Sequence, residues 1–196
     1  MKKVLMVAAM MLLSAGAFAQ EVGKMAAGVQ ASYGMHKDYK NFGIGAKFQY
    51  NITDRFRGET SGNYFFKKDY VSMWDVNANV HYIFPLTAKL NAYPLVGLTV
   101  MGAKFDASDI YDDLLAQTAA ALGMTVAQYR EFCAEYGVDL PSGSDLEENE
   151  TKLGFNAGVG IEYLFTDTFK GFFEFKYQFV KDLDRPVISA GVAYIF

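Results

Sequence analysis

Between Trp74 and Phe84 the chain alternates with a period of two. Trp74, Val76, Ala78, Val80, Tyr82 and Phe84 are apolar, and Asp75, Asn77, Asn79, His81 and Ile83 stand between them, polar but for the last. Successive side chains of a strand point to opposite faces, so this pattern predicts a strand with one apolar and one polar face. Phe42, Ile44, Ala46, Phe48, Tyr50 and Ile52 oppose Gly43, Gly45, Lys47, Gln49 and Asn51 in the same way. Phe155, Ala157, Val159, Ile161, Tyr163 and Phe165 oppose Gly154, Asn156, Gly158, Gly160 and Glu162, while Phe173, Phe175, Tyr177 and Phe179 oppose Glu174, Lys176 and Gln178. The segments Met25–Gly34, Phe56–Phe66, Leu90–Met101 and Pro186–Phe196 carry weaker versions of it. In the third of these Pro94 withholds an N–H from the ladder.

One such strand fits a soluble sheet equally well. Length separates the two cases: soluble strands average about 5–6 residues, a tilted membrane strand needs about 9–11, and these segments run to about 10–12. The connections alternate as well. Asn51–Arg55, Pro85–Lys89 and Thr166–Thr168 are tight, and two of them carry a Thr-Asp pair suited to turns. Met35–Asn41, Lys67–Ser72, Ala103–Thr151 and Lys181–Arg185 are longer or more charged. Short turns on one side and longer loops on the other fit a bacterial outer-membrane barrel with periplasmic turns. An even strand number leaves both termini on the turn side. Closure follows from the solvent, since lipid satisfies no backbone N–H or C=O and a barrel has no edge. The expected fold is all-β, an eight-stranded antiparallel up-and-down transmembrane β-barrel with one long, partly helical extracellular loop.

Aromatic residues fall at two heights on this reading. Tyr50, Tyr82, Tyr163, Phe165, Tyr194 and Phe196 lie near the turn end, and Tyr33, Phe42, Trp74, Tyr177 and Phe179 near the loop end, with Ala46, Ala78, Val80, Ala157 and Val159 between. Amphipathic rings prefer the headgroup level, which accounts for two girdles around an aliphatic belt.

Composition adds exclusions. The chain has 18 Gly against 4 Pro and 16% aromatic residues, which suits strands better than a helical bundle. A net charge of −4 provides no basic footprint for nucleic acid. The lone Cys133 excludes an intramolecular disulfide and a Cys-based zinc site. Lys2 and Lys3, the apolar run Val4–Leu13 and the small residues around Phe18 in Ala17-Phe18-Ala19 form a secretory signal over residues 1–19, leaving 20–196 as the barrel domain.

The tail Ser189-Ala190-Gly191-Val192-Ala193-Tyr194-Ile195-Phe196 resembles the signal by which the barrel-assembly machinery recognises the last strand of outer-membrane proteins. Gly191, Tyr194 and Phe196 occupy its marked positions. Gly154 to Asp167, with its Gly-x-Gly run ending in Tyr163-Leu164-Phe165-Thr166-Asp167, resembles the sixth strand and turn of the small OmpA/OmpX-like barrel family, also labelled porin family. The resemblance covers the mature chain except the insertion 103–151. It implies an outer-membrane location, contact with lipid and lipopolysaccharide, and delivery by the assembly machinery. The peptidoglycan-binding domain of larger members is not matched here.

The inward-facing charges are expected to be Lys47, Arg57, Glu59, Asp75, Glu162, Glu174 and Lys176, with His81. An eight-stranded barrel has an interior just wide enough for side chains, so these groups are expected to pair and plug the bore. Lys47 and Glu59 flank one hairpin turn and can be neighbours. The alternative is that they line a small porin-like channel. Catalysis is not expected: His36 lies near Ser32 and Asp38 in sequence, but no motif supports a triad, and it reads as a solvated loop histidine. In the insertion, eleven acidic residues between Asp106 and Glu150 face one basic residue, Arg130. Asp109–Leu122 reads as a helix, Thr125-Val126-Ala127-Gln128 as a capping box opening a second helix to about Tyr136, and Pro141–Glu150 as disordered. No calcium-loop motif is present, so neither metal nor cofactor is expected. The functional expectation is a monomeric barrel with a structural or surface-interaction role.

Overall fold

The computed structural model describes residues 21–37, 40–68, 70–141 and 147–196. The signal-peptide reading of residues 1–19 lies outside the described residues. Eight long strands follow in order: β1 (Met25–Met35), β2 (Lys40–Asn51), β3 (Phe56–Lys68), β4 (Val71–Tyr82), β5 (Leu90–Asp106), β6 (Glu147–Leu164), β7 (Phe169–Phe179) and β8 (Arg185–Ile195). Each pairs antiparallel with its sequence neighbours, and β1 pairs with β8 from Ala26 opposite Ile195 to Gly34 opposite Val187, which closes the sheet. The two-residue strand Phe84–Pro85 prolongs the line of β4. Two helices, α1 (Ser108–Ala121) and α2 (Val126–Glu135), stand between β5 and β6.

The wall is inverted relative to a soluble core. Val29, Ile44, Val76, Val96, Leu98, Phe155 and Val159 are exposed on its outer surface, and Gln30, Asn63, Asp75, Asn156 and Gln178 are buried inside. An apolar surface this continuous does not belong to a monomeric soluble domain. Rings gather at both rims: Phe56, Tyr82, Phe84, Phe169 and Tyr194 make contacts at the turn end, and Phe42, Tyr64, Phe66, Phe155, Tyr177 and Phe179 at the loop end.

The three tight turns share one design. Ile52 and Thr53, Leu86 and Thr87, and Phe165 and Thr166 donate their N–H groups to the carbonyls of Phe56, Leu90 and Phe169. In each turn the threonine hydroxyl accepts two further backbone N–H groups, at 2.9–3.3 Å. Threonine is suited to this because its hydroxyl reaches backbone donors two and three residues on.

Several expectations change. The connections at Met35–Asn41 and Lys67–Ser72 are not long, because β1 runs to Met35, β2 starts at Lys40, β3 runs to Lys68 and β4 starts at Val71. Lys40, Lys67 and Lys68 belong to the strands instead of leaving them. Pro94 interrupts its ladder as expected, without ending the strand. The β4–β5 ladder runs to His81 opposite Leu95, lapses across Tyr93 and Pro94, and resumes at Phe84 opposite Ala92. The N–H of Ile83 meanwhile donates to the carbonyl of Arg55 at 2.8 Å. The disorder expected over Pro141–Glu150 is corrected in part. Glu147 to Glu150 belong to β6 and pair with Ala103 to Asp106, so a ladder begun in the wall carries them on, a partner invisible to composition. Residues 142–146 lie outside the described residues. The capping box forms as expected, with Thr125 and Gln128 bonded reciprocally ahead of α2. Among the described residues of the helical hairpin, Leu115, Ala119 and Cys133 are buried.

Candidate functional site

The lumen holds the candidate site, because alternation turns every second side chain of eight strands toward one axis. Three bonded groups fill it. Near the turn end, Arg57 Nη1 on β3 donates to Glu162 Oε2 on β6 at 2.7 Å, Lys170 Nζ reaches the same oxygen at 3.0 Å, and Asn91 Nδ2 donates to Glu162 Oε1 at 3.1 Å. Beside it, Lys47 Nζ on β2 lies 2.7 Å from Glu174 Oε1 on β7 and 3.0 Å from Glu59 Oε2. The Tyr93 hydroxyl donates to Glu174 Oε1 at 2.8 Å, and the Tyr93 ring stacks on His81 at 4.7 Å. Gly160 makes room for that ring: a Cβ there would lie 2.5 Å from Tyr93 Cζ.

Toward the loop end, Asp75 accepts from Asn63 Nδ2 at 2.7 Å, Asn77 Nδ2 at 2.8 Å and Gln178 Nε2 at 2.9 Å, with Arg185 Nη2 at 3.4 Å. Asn156 Nδ2 on β6 bridges to Asn77 and Asn79 on β4 at 2.9 and 3.0 Å. Above this group apolar residues gather around the Arg185 guanidinium, which lies 4.0 Å over the Phe65 ring, and Asn41 Nδ2 donates to the carbonyls of Phe66 and Val71. Phe65, Met73, Met101 and Val187 form a buried cluster, and Val180 and Leu183 fold into it from the connection between β7 and β8. The loop-end mouth is therefore stoppered by its own wall and loop. Outside, Lys152 Nζ bonds Asp182 Oδ2 at 2.8 Å and holds that carboxyl below its ordinary range.

Of the eight lumen residues singled out by alternation, Lys47, Arg57, Glu59, Asp75, His81, Glu162 and Glu174 lie in these groups. Lys176 is buried with them, yet among the described residues it makes no hydrogen bond or ion pair. Lys170, Arg185 and Tyr93 belong to the site and escaped the pattern. His36 is buried, 5% exposed, and not a solvated loop residue. Ser32 shares a hydrogen bond with Ser189 at 2.9 Å and donates to Asn63, which ties its hydroxyl into the lumen, and Asp38 lies outside the described residues. In the tail, Gly191 stands opposite Gln30, and Tyr194 and Phe196 are exposed on the outer surface. The N–H of Phe196 donates to Met25 O at 2.9 Å, and the N–H of Met25 donates back to Phe196 O at 3.0 Å, so the last residue pairs with the first strand.

One group among the described residues has a donor set for a cation. Ligand atoms of Glu59, His81 and Glu174 lie within 4.8 Å of one another. The space between the carboxylates is taken by the Lys47 ammonium, and His81 Nδ1 faces the Arg57 guanidinium at 3.1 Å. His81 Nε2 lies 3.7 Å from Glu59 Oε1 without a hydrogen bond, and a metal shared with the two carboxylates would have to displace the Lys47 ammonium, so the arrangement as it stands is an internal ion cluster.

The N-terminal β-barrel domain of Pseudomonas aeruginosa OprF is 16% identical and superposes with a TM-score of 0.59, over 90% of this chain and 100% of that one. Neisserial surface protein A is 15% identical, with a TM-score of 0.57 over 87% of this chain and 95% of that one. The attachment invasion locus protein Ail of Yersinia pestis is 15% identical, with a TM-score of 0.55 over 90% and 100%. No curated protein matches in sequence. The model of the outer membrane protein beta-barrel domain matches residues 5–196. An apolar belt, a closed eight-stranded wall and that match over nearly the whole sequence agree: the chain belongs to the family of outer membrane protein β-barrel domains.

Proposed function

We propose that this protein is a structural, surface-displaying barrel of the outer membrane whose lumen stays closed to solutes. The observation that carries the reading is the way the lumen is filled: ion pairs bridge β2 to β7 and β3 to β6, and Val180 and Leu183 stopper the loop end. Each bridge spans the bore between side chains already in contact, which suits wall-to-wall struts more than a lining. The loop end faces the outside, where α1 and α2 stand clear with Ile110, Leu114, Phe132 and Tyr136 exposed. The turn end and both termini face the periplasm. Lipid and lipopolysaccharide cover the belt, and no catalytic role is assigned to any residue.

Refolded protein in a planar bilayer should give no steady conductance, and loaded liposomes should not swell in small sugars. Large, stable channels in the wild type would move the assignment to a porin-like channel. Delivery by the assembly machinery reads Gly191, Tyr194 and Phe196. Phe196→Asp should therefore reduce the folded protein in outer-membrane fractions several-fold more than Ser189→Asn; equal yields would remove the tail from that role.

A further inference from the structure

Among the described residues, the charges buried in the lumen do not balance. Lys47, Arg57, Lys170, Lys176 and Arg185 are five cations, and Glu59, Asp75, Glu162 and Glu174 are four carboxylates, which leaves one positive charge in excess. The excess can be placed on one residue. Lys47 holds Glu59 and Glu174, Arg57 and Lys170 share Glu162, and Arg185 meets Asp75. Lys176, 2% exposed, has no partner of any kind among the described residues.

The neighbours of Lys176 are committed elsewhere or lack a side chain. Along β7, Glu174 is bonded to Lys47 and Tyr93, and Gln178 to Asp75 and Arg185. Across the ladders it stands opposite Gly158 on β6 and Val187 on β8, neither of which offers a polar side chain. At Gly158 the β7 backbone approaches closely: an added Cβ would run into Phe175 O and lie 2.7 Å from Lys176 Cα. An ammonium in a closed, membrane-spanning bore without a counter-charge is costly, by far more than the worth of a surface ion pair. A small diffusible anion removes that cost.

We propose that the lumen holds a small monovalent anion at the Lys176 ammonium, midway between the Glu59–Lys47–Glu174 cluster and the Asp75 group. The site rests on the closed-lumen reading, because an open, water-filled bore would screen the surplus charge without a bound ion. The ligand class is a halide-sized anion: a larger organic anion does not fit a bore already filled by side chains.

Bromide is the direct probe. Crystals of the refolded protein grown with sodium bromide should show an anomalous peak within ion-pair distance of Lys176 Nζ, and crystals of Lys176→Met should lack it. In solution, the urea midpoint of the wild type should be higher in sodium chloride than in sodium gluconate at equal ionic strength. The difference should saturate with chloride, vanish in Lys176→Met and Lys176→Gln, and persist in Lys176→Arg. No bromide peak at Lys176, or a chloride effect unchanged in both neutral variants, overturns the proposal. Conductance is read separately, so a channel would sink the closed-lumen function while these two measurements still report on the site.

Discussion

At the scale of single residues, the lumen is an argument about stranded charge. Lys47 stands between two carboxylates, 3.0 Å from Glu59 and 2.7 Å from Glu174. Removing one member of a buried ion cluster leaves the others unpaired, at a cost of about 3–5 kcal/mol, whereas removing all of them leaves nothing stranded. Lys47→Met should therefore lower the urea unfolding free energy in micelles by about that amount. Adding Glu59→Gln and Glu174→Gln to it should recover part of the loss. A triple variant weaker than the single would show that the carboxylates do not depend on Lys47. The alternation alone placed Lys47, Glu59 and Glu174 on one face, because a period of two leaves no choice. It missed Arg185, which opens β8 but sits in a charged run that reads as a connection, and Lys170, which precedes the aromatic positions that mark β7. Tyr93 was hidden differently. An aromatic next to Pro94 gives no sign that it points inward, and only the glycine at position 160, on a strand far away in sequence, makes its place in the bore.

At the scale of elements, the turns are the most regular feature of the chain. Thr53, Thr87 and Thr166 each accept two backbone N–H groups in otherwise matching turns. Loss of a hydroxyl leaves those donors to water, about 0.5–1.5 kcal/mol for each turn. Thr53→Ala, Thr87→Ala and Thr166→Ala should each destabilise by that amount, add nearly independently, and be spared by Thr→Ser. Two of these turns announce themselves as Thr-Asp pairs, and the third, with Ala88 after Thr87, shows that the threonine carries the geometry. On the opposite side, the sequence overstated the loops. Lysines at 40, 67 and 68 look like loop composition, but a ladder that rises past the belt into water accepts charge on either face. The connection between β7 and β8 is the one that folds inward, tethered outside by Lys152 and Asp182. Asp182 titrates below its ordinary value because of the hydrogen bond from Lys152. The tether is thus intact above the ordinary carboxyl pKa and is lost only as pH falls through the lowered one. Amide protection factors at Lys181–Asp184, which remove the intrinsic pH dependence of exchange, should fall on strong acidification, and Asp182→Asn should show that lower protection at neutral pH. Exchange indifferent to both changes would mean that Val180 and Leu183 hold the loop unaided.

At the scale of the whole molecule, strand count, closure and belt constrain one another. Eight strands paired into a ring put both termini at one end, so whichever end carries the helical hairpin is opposite them. That much was legible from alternation and segment length, because lipid demands a closed ladder and an apolar outer face together. Which end faces the cell exterior follows from connection length, and after β1–β2 and β3–β4 prove tightly joined, that evidence rests almost wholly on one insertion. It still has a decisive readout. Tyr136 ends α2, is 71% exposed, and is followed by Gly137 with a positive φ of 72°, a backbone position where the chain leaves the helix. Exposed segment ends of this kind are preferred sites of proteolysis. Chymotrypsin added to sealed cells should cut after Tyr136 and leave two fragments that stay joined through the β5–β6 ladder until the barrel is unfolded by heat in detergent. The strands within the belt should survive, because lipid covers their outer face and their backbone is held in a closed ladder. Cleavage that appears only once the outer membrane is breached would place the hairpin in the periplasm. Both termini would then lie outside, the girdle at the turn end would meet lipopolysaccharide, and the orientation proposed for this barrel would be reversed.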